Sequence, residues 1–249
     1  MRWPTPPADH VAQKLTMPDR LAFMELNSDF SRRVAVHGAK LAWVPSPIAG
    51  VDRRMLERIG AEVARATSIV RYAPHSHFSP HTHGGGEEFL VLEGVFQDEH
   101  GDFPAGSYIR NPPTTSHTPG SASGCTIFVK LWQFDPSDRQ QVRIDTTKGT
   151  FSRAKNRPGV ETMTLFVDHF EDVRLERWAP GARVALDLPV GGELLVLDGS
   201  FVEAGDCFEP QSWLRFPVGG RLSATAGPVG CKVWVKTGHL TDRLTAPAG

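Results

Sequence analysis

Cysteine is scarce in this chain, and the few that occur are spaced in a way that excludes two kinds of site. Only three cysteines occur among the 249 residues. They are Cys125, Cys207 and Cys231, and no two of them form a Cys-x-x-Cys pair. Neither a disulfide framework nor a thiolate zinc site is therefore indicated. We expect the three to be small buried residues.

An excess of one charge and long apolar runs are also lacking. Lysine plus arginine total 27 against 28 for aspartate plus glutamate, a formal net charge of −1. Such a balance gives no basic field for nucleic acid or an anionic membrane. No run approaches the ~20 apolar residues of a membrane span, and residues 1–7 lack the apolar core of a secretory signal. We expect a cytoplasmic protein with no direct nucleic-acid or membrane partner.

An internal repeat indicates the architecture. Residues 88–94, Glu-Phe-Leu-Val-Leu-Glu-Gly, recur as residues 193–199, Glu-Leu-Leu-Val-Leu-Asp-Gly. Upstream, residues 71–74 (Arg-Tyr-Ala-Pro) recur as residues 177–180 (Arg-Trp-Ala-Pro). So many matches in the same order predict two tandem domains of the same fold.

Each repeat consists of short apolar or alternating runs separated by glycine, proline and aspartate, which is typical of an all-β sandwich or barrel. We predict an N-terminal segment over residues 1–30, a first barrel over 31–140 and a second barrel over 141–249. The boundary falls in the polar stretch 135–156. A short helix is predicted over residues 8–25.

One run of residues has the composition of a metal site. His81 and His83 are two apart, so on an extended strand both imidazoles point to one face, roughly 7 Å apart at their backbones. Gly84–Gly86 then allow a tight reversal, and the apolar run 89–92 predicts a strand that returns beside the first. This return brings Glu87 back toward the two histidines.

A further histidine completes the predicted ligand set. His117 follows a loop rich in proline and threonine and precedes the strand predicted over residues 125–129. The sequence therefore predicts one mononuclear site made by His81, His83, Glu87 and His117. A pair of surface histidines in a glycine-rich loop is the alternative interpretation.

Two neighbouring residues are candidates for the outer sphere of this site. His77 has the same strand parity as His81, although Pro80 interrupts the strand. Glu88 adjoins Glu87 on the opposite face and is the next candidate for a ligand. In the second repeat the four ligand positions become apolar or glycine, so no ion is expected there; they are Leu186, Leu188, Gly192 and Leu222.

The order of these residues resembles the cupin family. Its first motif is two histidines separated by one residue, then a glutamate, and then a glycine after six intervening residues, as in His81, His83, Glu87 and Gly94. Its second motif, Pro-x-Gly and then a histidine, is similar to Pro104, Gly106 and His117, with a longer interval before the histidine. The resemblance implies two tandem cupin barrels, which are jelly rolls also described as double-stranded β-helices.

A narrower resemblance covers residues 43–130. Residues 43–47, 65–71 and 94–102 resemble the cupin half of ChrR-type anti-sigma factors, which implies zinc binding, a response to oxidative stress and a role in transcription regulation. In those relatives a separate N-terminal helical zinc domain holds the sigma factor. The first thirty residues here contain one histidine, His10, and no cysteine, so the metal cluster of such a domain is missing.

These features define competing functional hypotheses. We expect one divalent metal ion per chain, with zinc as the first expectation and iron, manganese or nickel as alternatives. The first hypothesis is a ChrR-like regulatory or stress sensor that acts on a protein partner. The alternative is a mononuclear non-haem metal dioxygenase similar to acetylacetone-cleaving enzymes, with a small oxygen-bearing ligand as substrate; a third is a metal-stabilised structural module. Exposed strand edges make a homodimer an open expectation.

Overall fold

The computed structural model describes residues 23–240, which form two β-barrels of similar design. Within this range the chain has β-strands, one 3₁₀ helix at Gly38–Lys40 and no α-helix. No helix among residues 23–240 is long and apolar enough to cross a membrane. The strands of the first repeat are β1 (Met24–Leu26), β2 (Val34–His37), β3 (Val44–Pro45), β4 (Val51–Gly60), β5 (Ala64–Tyr72), β6 (Ser76–His77), β7 (His81–Thr82), β8 (Glu87–Asp98), β9 (Gly101–Pro104), β10 (Ser107–Asn111), β11 (Ser116–His117), β12 (Gly120–Ser121) and β13 (Cys125–Leu131). Those of the second are β14 (Val142–Asp145), β15 (Ser152–Arg153), β16 (Val160–Val167), β17 (Asp172–Trp178), β18 (Arg183–Leu188), β19 (Gly192–Glu203), β20 (Asp206–Phe208), β21 (Ser212–Phe216) and β22 (Gly220–Thr237).

Antiparallel sheets build both barrels in corresponding order. The main sheet of the first barrel runs β1-β4-β5-β13-β8-β10-β14, and that of the second runs β15-β16-β17-β22-β19-β21-β2. In the first barrel β7 and β11 form a separate two-stranded ladder. The predicted fold class, all-β with two tandem jelly-roll barrels, is confirmed.

Strand β8 is the longest strand of the first barrel and belongs to both of its faces. Its first half pairs with β10 and β13, and its second half pairs with β9 and β12. The strand bends at Gly94, which has φ +70°, and a Cβ there would lie 2.1 Å from the carbonyl oxygen of Gly124. Only glycine satisfies both conditions. The bend turns the strand over the barrel and sends its end toward the candidate site.

The two repeats exchange one strand each. Strand β2 lies in the first repeat, between β1 and the other strands of the first barrel, yet it pairs with β21 of the second barrel. Strand β14 precedes the second barrel, yet it pairs with β10 of the first. Each strand covers an edge that the other barrel would leave unpaired. The domain division between residues 140 and 141 stays a prediction. Strands β2 and β14 each pair with a strand on the other side of it.

Three apolar clusters hold the structure together. One fills the first barrel, one fills the second, and the third lies between them. Side chains from both repeats form the third cluster, including Tyr108 and Phe128 from the first and Trp213 and Trp234 from the second. Such fully buried aromatic side chains contribute strongly to packing, at roughly 25 cal/mol per Å² of apolar surface removed from water. The barrels therefore pack as one unit.

Buried ion pairs also cross the interface between the barrels. Each pair joins a basic residue of one barrel to an acidic residue of the other. Burial of a charge is costly unless the charge is paired, so these residues hold the barrels in one relative position. The pairs and their N–O distances are Lys130–Glu193 at 2.6 Å, Lys236–Glu88 at 2.5 Å, Arg110–Glu171 at 2.9 Å and Arg215–Glu57 at 2.5 Å.

Two local expectations have different outcomes. The helix predicted over residues 8–25 lies outside the described residues up to residue 22, and its last positions, Met24 and Glu25, belong to strand β1 instead. Cys125 and Cys231 are buried as expected. Cys207 is exposed, so the expectation is wrong there; it lies on the short strand β20, which pairs only with the end of β19.

Candidate metal centre

The four predicted ligands come together at one end of the first barrel. Strands β7 and β11 pair so that His117 lies directly opposite His81. The backbone amide of His83 donates to the carbonyl oxygen of Thr115 at 2.8 Å, which keeps this ladder going beyond β7. Glu87 opens strand β8. One ligand atom from each of the four residues lies within 4.8 Å of the other three.

The glycine run before Glu87 is needed for close packing as well as for the turn. The Trp132 indole lies against this run, and a Cβ on Gly85 would be 2.3 Å from its Cε3 atom. A Cβ on Gly86, which has φ +78°, would be 2.3 Å from the Phe134 ring. The Trp132 amide also donates to the Gly86 carbonyl oxygen at 3.1 Å. These contacts fix the path of the chain between His83 and Glu87.

Hydrogen bonds determine which nitrogen of His83 is free. The Thr115 hydroxyl donates its hydrogen to the Pro112 carbonyl oxygen at 2.7 Å. Its oxygen therefore accepts from His83 Nδ1, which lies 3.0 Å away. With the proton on Nδ1, the Nε2 atom of His83 carries the lone pair and can bind a metal ion.

The other two imidazoles follow the same rule. His117 Nδ1 lies 3.3 Å from the Asp98 carboxylate, and His81 Nδ1 lies 3.4 Å from the Ser79 carbonyl oxygen. Both partners are acceptors, so each ring in its neutral form holds its proton on Nδ1 and leaves Nε2 unprotonated. The Asn111 side chain donates to Glu87 Oε2 at 3.3 Å and orients the carboxylate.

The polar atoms at the centre of the cluster fit a metal ion. His83 Nε2 and His117 Nε2 are buried and have no hydrogen-bond donor, while Glu87 Oε2 lies 3.3 Å and 3.6 Å from them. Buried polar atoms without a partner are rare because they are costly. Three imidazole nitrogens and one carboxylate oxygen are donors that zinc and other divalent transition metals accept.

Electrostatics favour the metal-binding forms of Glu87 and His81. Burial raises the pKa of Glu87, but its contact with His83 and the charges of the nearby imidazoles outweigh burial, so the pKa lies below its usual value. Burial lowers the pKa of His81, with Glu87 opposing the shift. The carboxylate is therefore ionised and this imidazole neutral near pH 7. For His117, burial lowers the pKa, but the contacts with Asp98 and Glu87 outweigh burial and raise it above its usual value.

The comparisons with known proteins agree with this geometry. Residues 31–135 match the ChrR Cupin-like domain. The first barrel is a cupin domain that resembles ChrR. No curated protein matches the chain by sequence.

Solved structures share the fold over most of the chain. A candidate dioxygenase from Nostoc punctiforme has a TM-score of 0.65 at 15% identity, with 94% of this chain and 88% of that chain covered. Ylba from Escherichia coli has a TM-score of 0.64 at 14% identity, covering 88% and 96%. Oxalate decarboxylase from Lactobacillus farciminis has a TM-score of 0.58 at 10% identity, covering 83% and 86%. At these identities the likeness extends to the fold alone.

The two residues predicted for the outer sphere lie elsewhere in the cupin domain. His77 is exposed on β6, opposite Gly120 of β12. Glu88 faces the second barrel, where it accepts hydrogen bonds from the Tyr108 hydroxyl at 2.6 Å and from Lys236. The side chains that do contact the ligands were missed by sequence reasoning, because two of them lie at the ends of β8 and β10 and the third lies in a loop, where no periodic signal marks them. They are Asp98, Asn111 and Thr115.

The second barrel provides an internal comparison for the site. Leu186 and Leu222, each 105 positions after a histidine of the first site, lie opposite one another on β18 and β22. This is the register of His81 and His117. Leu188 and Leu222 are buried in the apolar cluster of the second barrel. The same barrel position can therefore be filled with leucine, so packing alone does not require the histidines.

Proposed function

We propose that this chain is a cytoplasmic, metal-binding regulatory protein of the ChrR-like type, with one zinc ion held by its first barrel. The observation that carries the proposal is the pair of buried, unpartnered Nε2 atoms of His83 and His117 beside the Glu87 carboxylate. His81 supplies the fourth donor. Zinc suits this set because it accepts both imidazole and carboxylate in four-coordinate sites.

The position of the ligands supports a sensing role. They come from β7, from the start of β8, from β11 and from the segment that follows β7. One ion would therefore tie β8 to β7 and β11, which share a ladder of two residue pairs and do not pair with β8. Loss of the ion, or oxidation of its ligands, would remove this tie. A protein partner that binds one of the two forms more tightly would read the change.

Metal content is the first test. Protein purified without chelator should contain one equivalent of zinc, and the variants H81A and H83A should lose it. The matched control is L186A, which changes the position equivalent to His81 in the second barrel and should keep the zinc. Equal metal content in wild type and H83A would refute the site.

Partner capture tests the regulatory half of the proposal. Zinc-loaded and chelated protein are used as separate baits, with H83A as the control that does not respond to zinc. A partner that binds only one form of the wild type supports regulation. Identical capture by the loaded and chelated forms contradicts it, even if zinc binds.

A non-haem metal dioxygenase is the second candidate, and the exposure of His81 favours it. One side of the cluster faces solvent there, so an ion could keep an open position for a small oxygen-bearing substrate. The Nostoc structure of similar fold is described as a candidate dioxygenase. Iron-loaded protein should then consume oxygen with a β-diketone, thiol or phenol. No uptake with any of these classes would remove the candidate.

A further inference from the structure

His117 differs from the other ligands of the proposed site in how its position is fixed. His81, His83 and Glu87 follow one another within seven residues of chain, and the packed glycine run joins the last two. His117 instead lies on strand β11, far from the other ligands in the chain. This strand is two residues long and pairs with β7. So short a ladder gives little control over the direction of the His117 ring.

The hairpin between β8 and β9 supplies that control. Asp98, at the end of β8, places its Oδ2 atom 3.3 Å from His117 Nδ1, while its Oδ1 atom accepts from the backbone amide of His100 at 2.7 Å. The next residue, Glu99, accepts from the backbone amide of Thr118 at 2.8 Å. One carboxylate thus contacts the ring of the ligand, and the other contacts the backbone beside it.

We propose that this hairpin, Asp98–Asp102, is a clamp for the metal ligand His117, with Asp98 as the positioning residue. The inference rests on the metal site proposed above. Asp98 holds the proton of His117 on Nδ1, so Nε2 stays free and aimed at the ion. Its negative charge also makes Nε2 of the imidazole a stronger electron-pair donor to the ion. A neutral hydrogen-bond acceptor at Nδ1 has a smaller effect.

The clamp distinguishes His117 from the other two histidine ligands. His81 is held by a carbonyl oxygen and His83 by a hydroxyl, both neutral acceptors, whereas His117 is held by a carboxylate. We therefore assign to His117 the strongest bond to the ion. Loss of the Asp98 charge should weaken binding more than loss of the Thr115 hydroxyl.

A role in the turn alone does not explain the burial and the direction of the Asp98 side chain. Aspartate is common in hairpin turns, where it accepts from a backbone amide two residues on, as Asp98 does from His100. That role uses one oxygen and leaves the other in solvent. Here the Asp98 side chain is only 4% exposed, and its second oxygen is directed at the His117 ring.

The second barrel supports this assignment. Its residue at the Asp98 position, 105 places later, is Glu203, at the end of β19. Glu203 forms an ion pair with Arg33, in the segment before the exchanged strand β2, and a leucine occupies the position of His117. Where the histidine is missing, the carboxylate has a different partner.

Zinc affinity tests the clamp. Competition with a chromophoric chelator would compare wild type with D98N, D98A and E99A, and with D102N as the control, since Asp102 is an exposed member of the same hairpin that contacts Gln97. We expect D98N to bind zinc roughly 10–100-fold more weakly. D98A should be weaker still and E99A less affected. Wild-type affinity in both D98N and D98A would overturn the proposal.

A second readout separates positioning from folding and from the metal site itself. Imidazole ¹⁵N NMR of the metal-free protein should show His117 protonated on Nδ1 in wild type and D102N, and a mixture of the two tautomers in D98A. An unchanged tautomer in D98A would contradict the clamp. If wild type binds no zinc, the proposed function fails, and this tautomer experiment still decides the role of Asp98.

Discussion

Lys130 of the first barrel donates to Glu193 of the second at 2.6 Å, and neither side chain is exposed to solvent. The repeat makes this contact reciprocal, since Lys236 of the second barrel donates to Glu88 of the first. The residues that form this pairing are present in both copies, whereas the histidine ligands are present in only one. Both copies of the repeat therefore keep the residues that hold the barrels together, whereas only the first copy keeps the candidate metal site.

Removing one partner of such a pair should be costly. K130M leaves the Glu193 carboxylate buried beside His239, whose pKa burial lowers to about 4, so no cation remains paired with it near pH 7. We expect the variant to lower the free energy of unfolding by about 3–5 kcal/mol. The control is K148M, which removes an exposed lysine paired with Asp145 and should change the stability far less, because solvent screens an exposed pair. Urea unfolding measures both. Equal costs would contradict the role of the interface.

Stability should fall in acid because of the same interface. Burial raises the pKa of Glu171, but Lys236 and Arg110 outweigh burial and lower it to about 2. A carboxyl whose folded pKa lies below its unfolded value contributes stability that is complete above pH ~4.5 and is lost as the pH falls toward 2. The melting temperature of metal-free protein should therefore decline below pH ~4.5, and less steeply in E171Q. A flat profile from pH 6 to 3 would count against this assignment.

Packing beneath the site should be sensitive to a single methyl group. G85A places a Cβ 2.3 Å from the Trp132 ring, so either the indole or the ligand loop must move. We expect a loss of about 1–3 kcal/mol in unfolding free energy and weaker zinc binding. The double variant G85A/W132A tests the cause, because its cost should be smaller than the sum of the two single costs. Simple additivity would mean that the clash is not with Trp132.

Metal removal should lower thermal stability, and the effect should depend on zinc concentration. An ion that binds only the folded form adds about 2.7 kcal/mol when free zinc is 100 times its dissociation constant. Chelator should lower the melting temperature of wild type and of L186A, and added zinc should restore it. H83A should not respond. A response of H83A equal to that of wild type would place the ion elsewhere.

The sequence predicted the parts of the structure that depend on local spacing. The His-x-His spacing, the glycine turn and the returning strand place His81, His83 and Glu87 together. The repeat assigns Leu186 and Leu222 to the positions of His81 and His117, and the two leucines pair as the two histidines do. The contacts of Asp98 and Thr115 were not predicted, because they depend on how two loops close over the barrel end. No periodicity in the chain carries that information.

Glu88 illustrates a second limit. Strand alternation assigned it correctly to the face opposite Glu87, but alternation does not say what lies on that face. The second barrel lies there, and Lys236 is its partner. The exchange of β2 and β14 was missed for the same reason, since an alternating run predicts a strand and leaves its neighbour undetermined.

The exchange of β2 and β14 has a consequence for any attempt to divide the chain. A fragment ending near residue 140 would keep β2 but lose β21, its pairing partner, and would also leave β10 without β14. Its monomer would therefore present both an unpaired strand and an unpaired sheet edge. Two copies could satisfy each other by giving β2 of one to β10 of the other, because β10 and β21 are corresponding strands. A single repeat thus needs a second repeat to complete its strand pairing, and the full chain supplies that second repeat by covalent linkage.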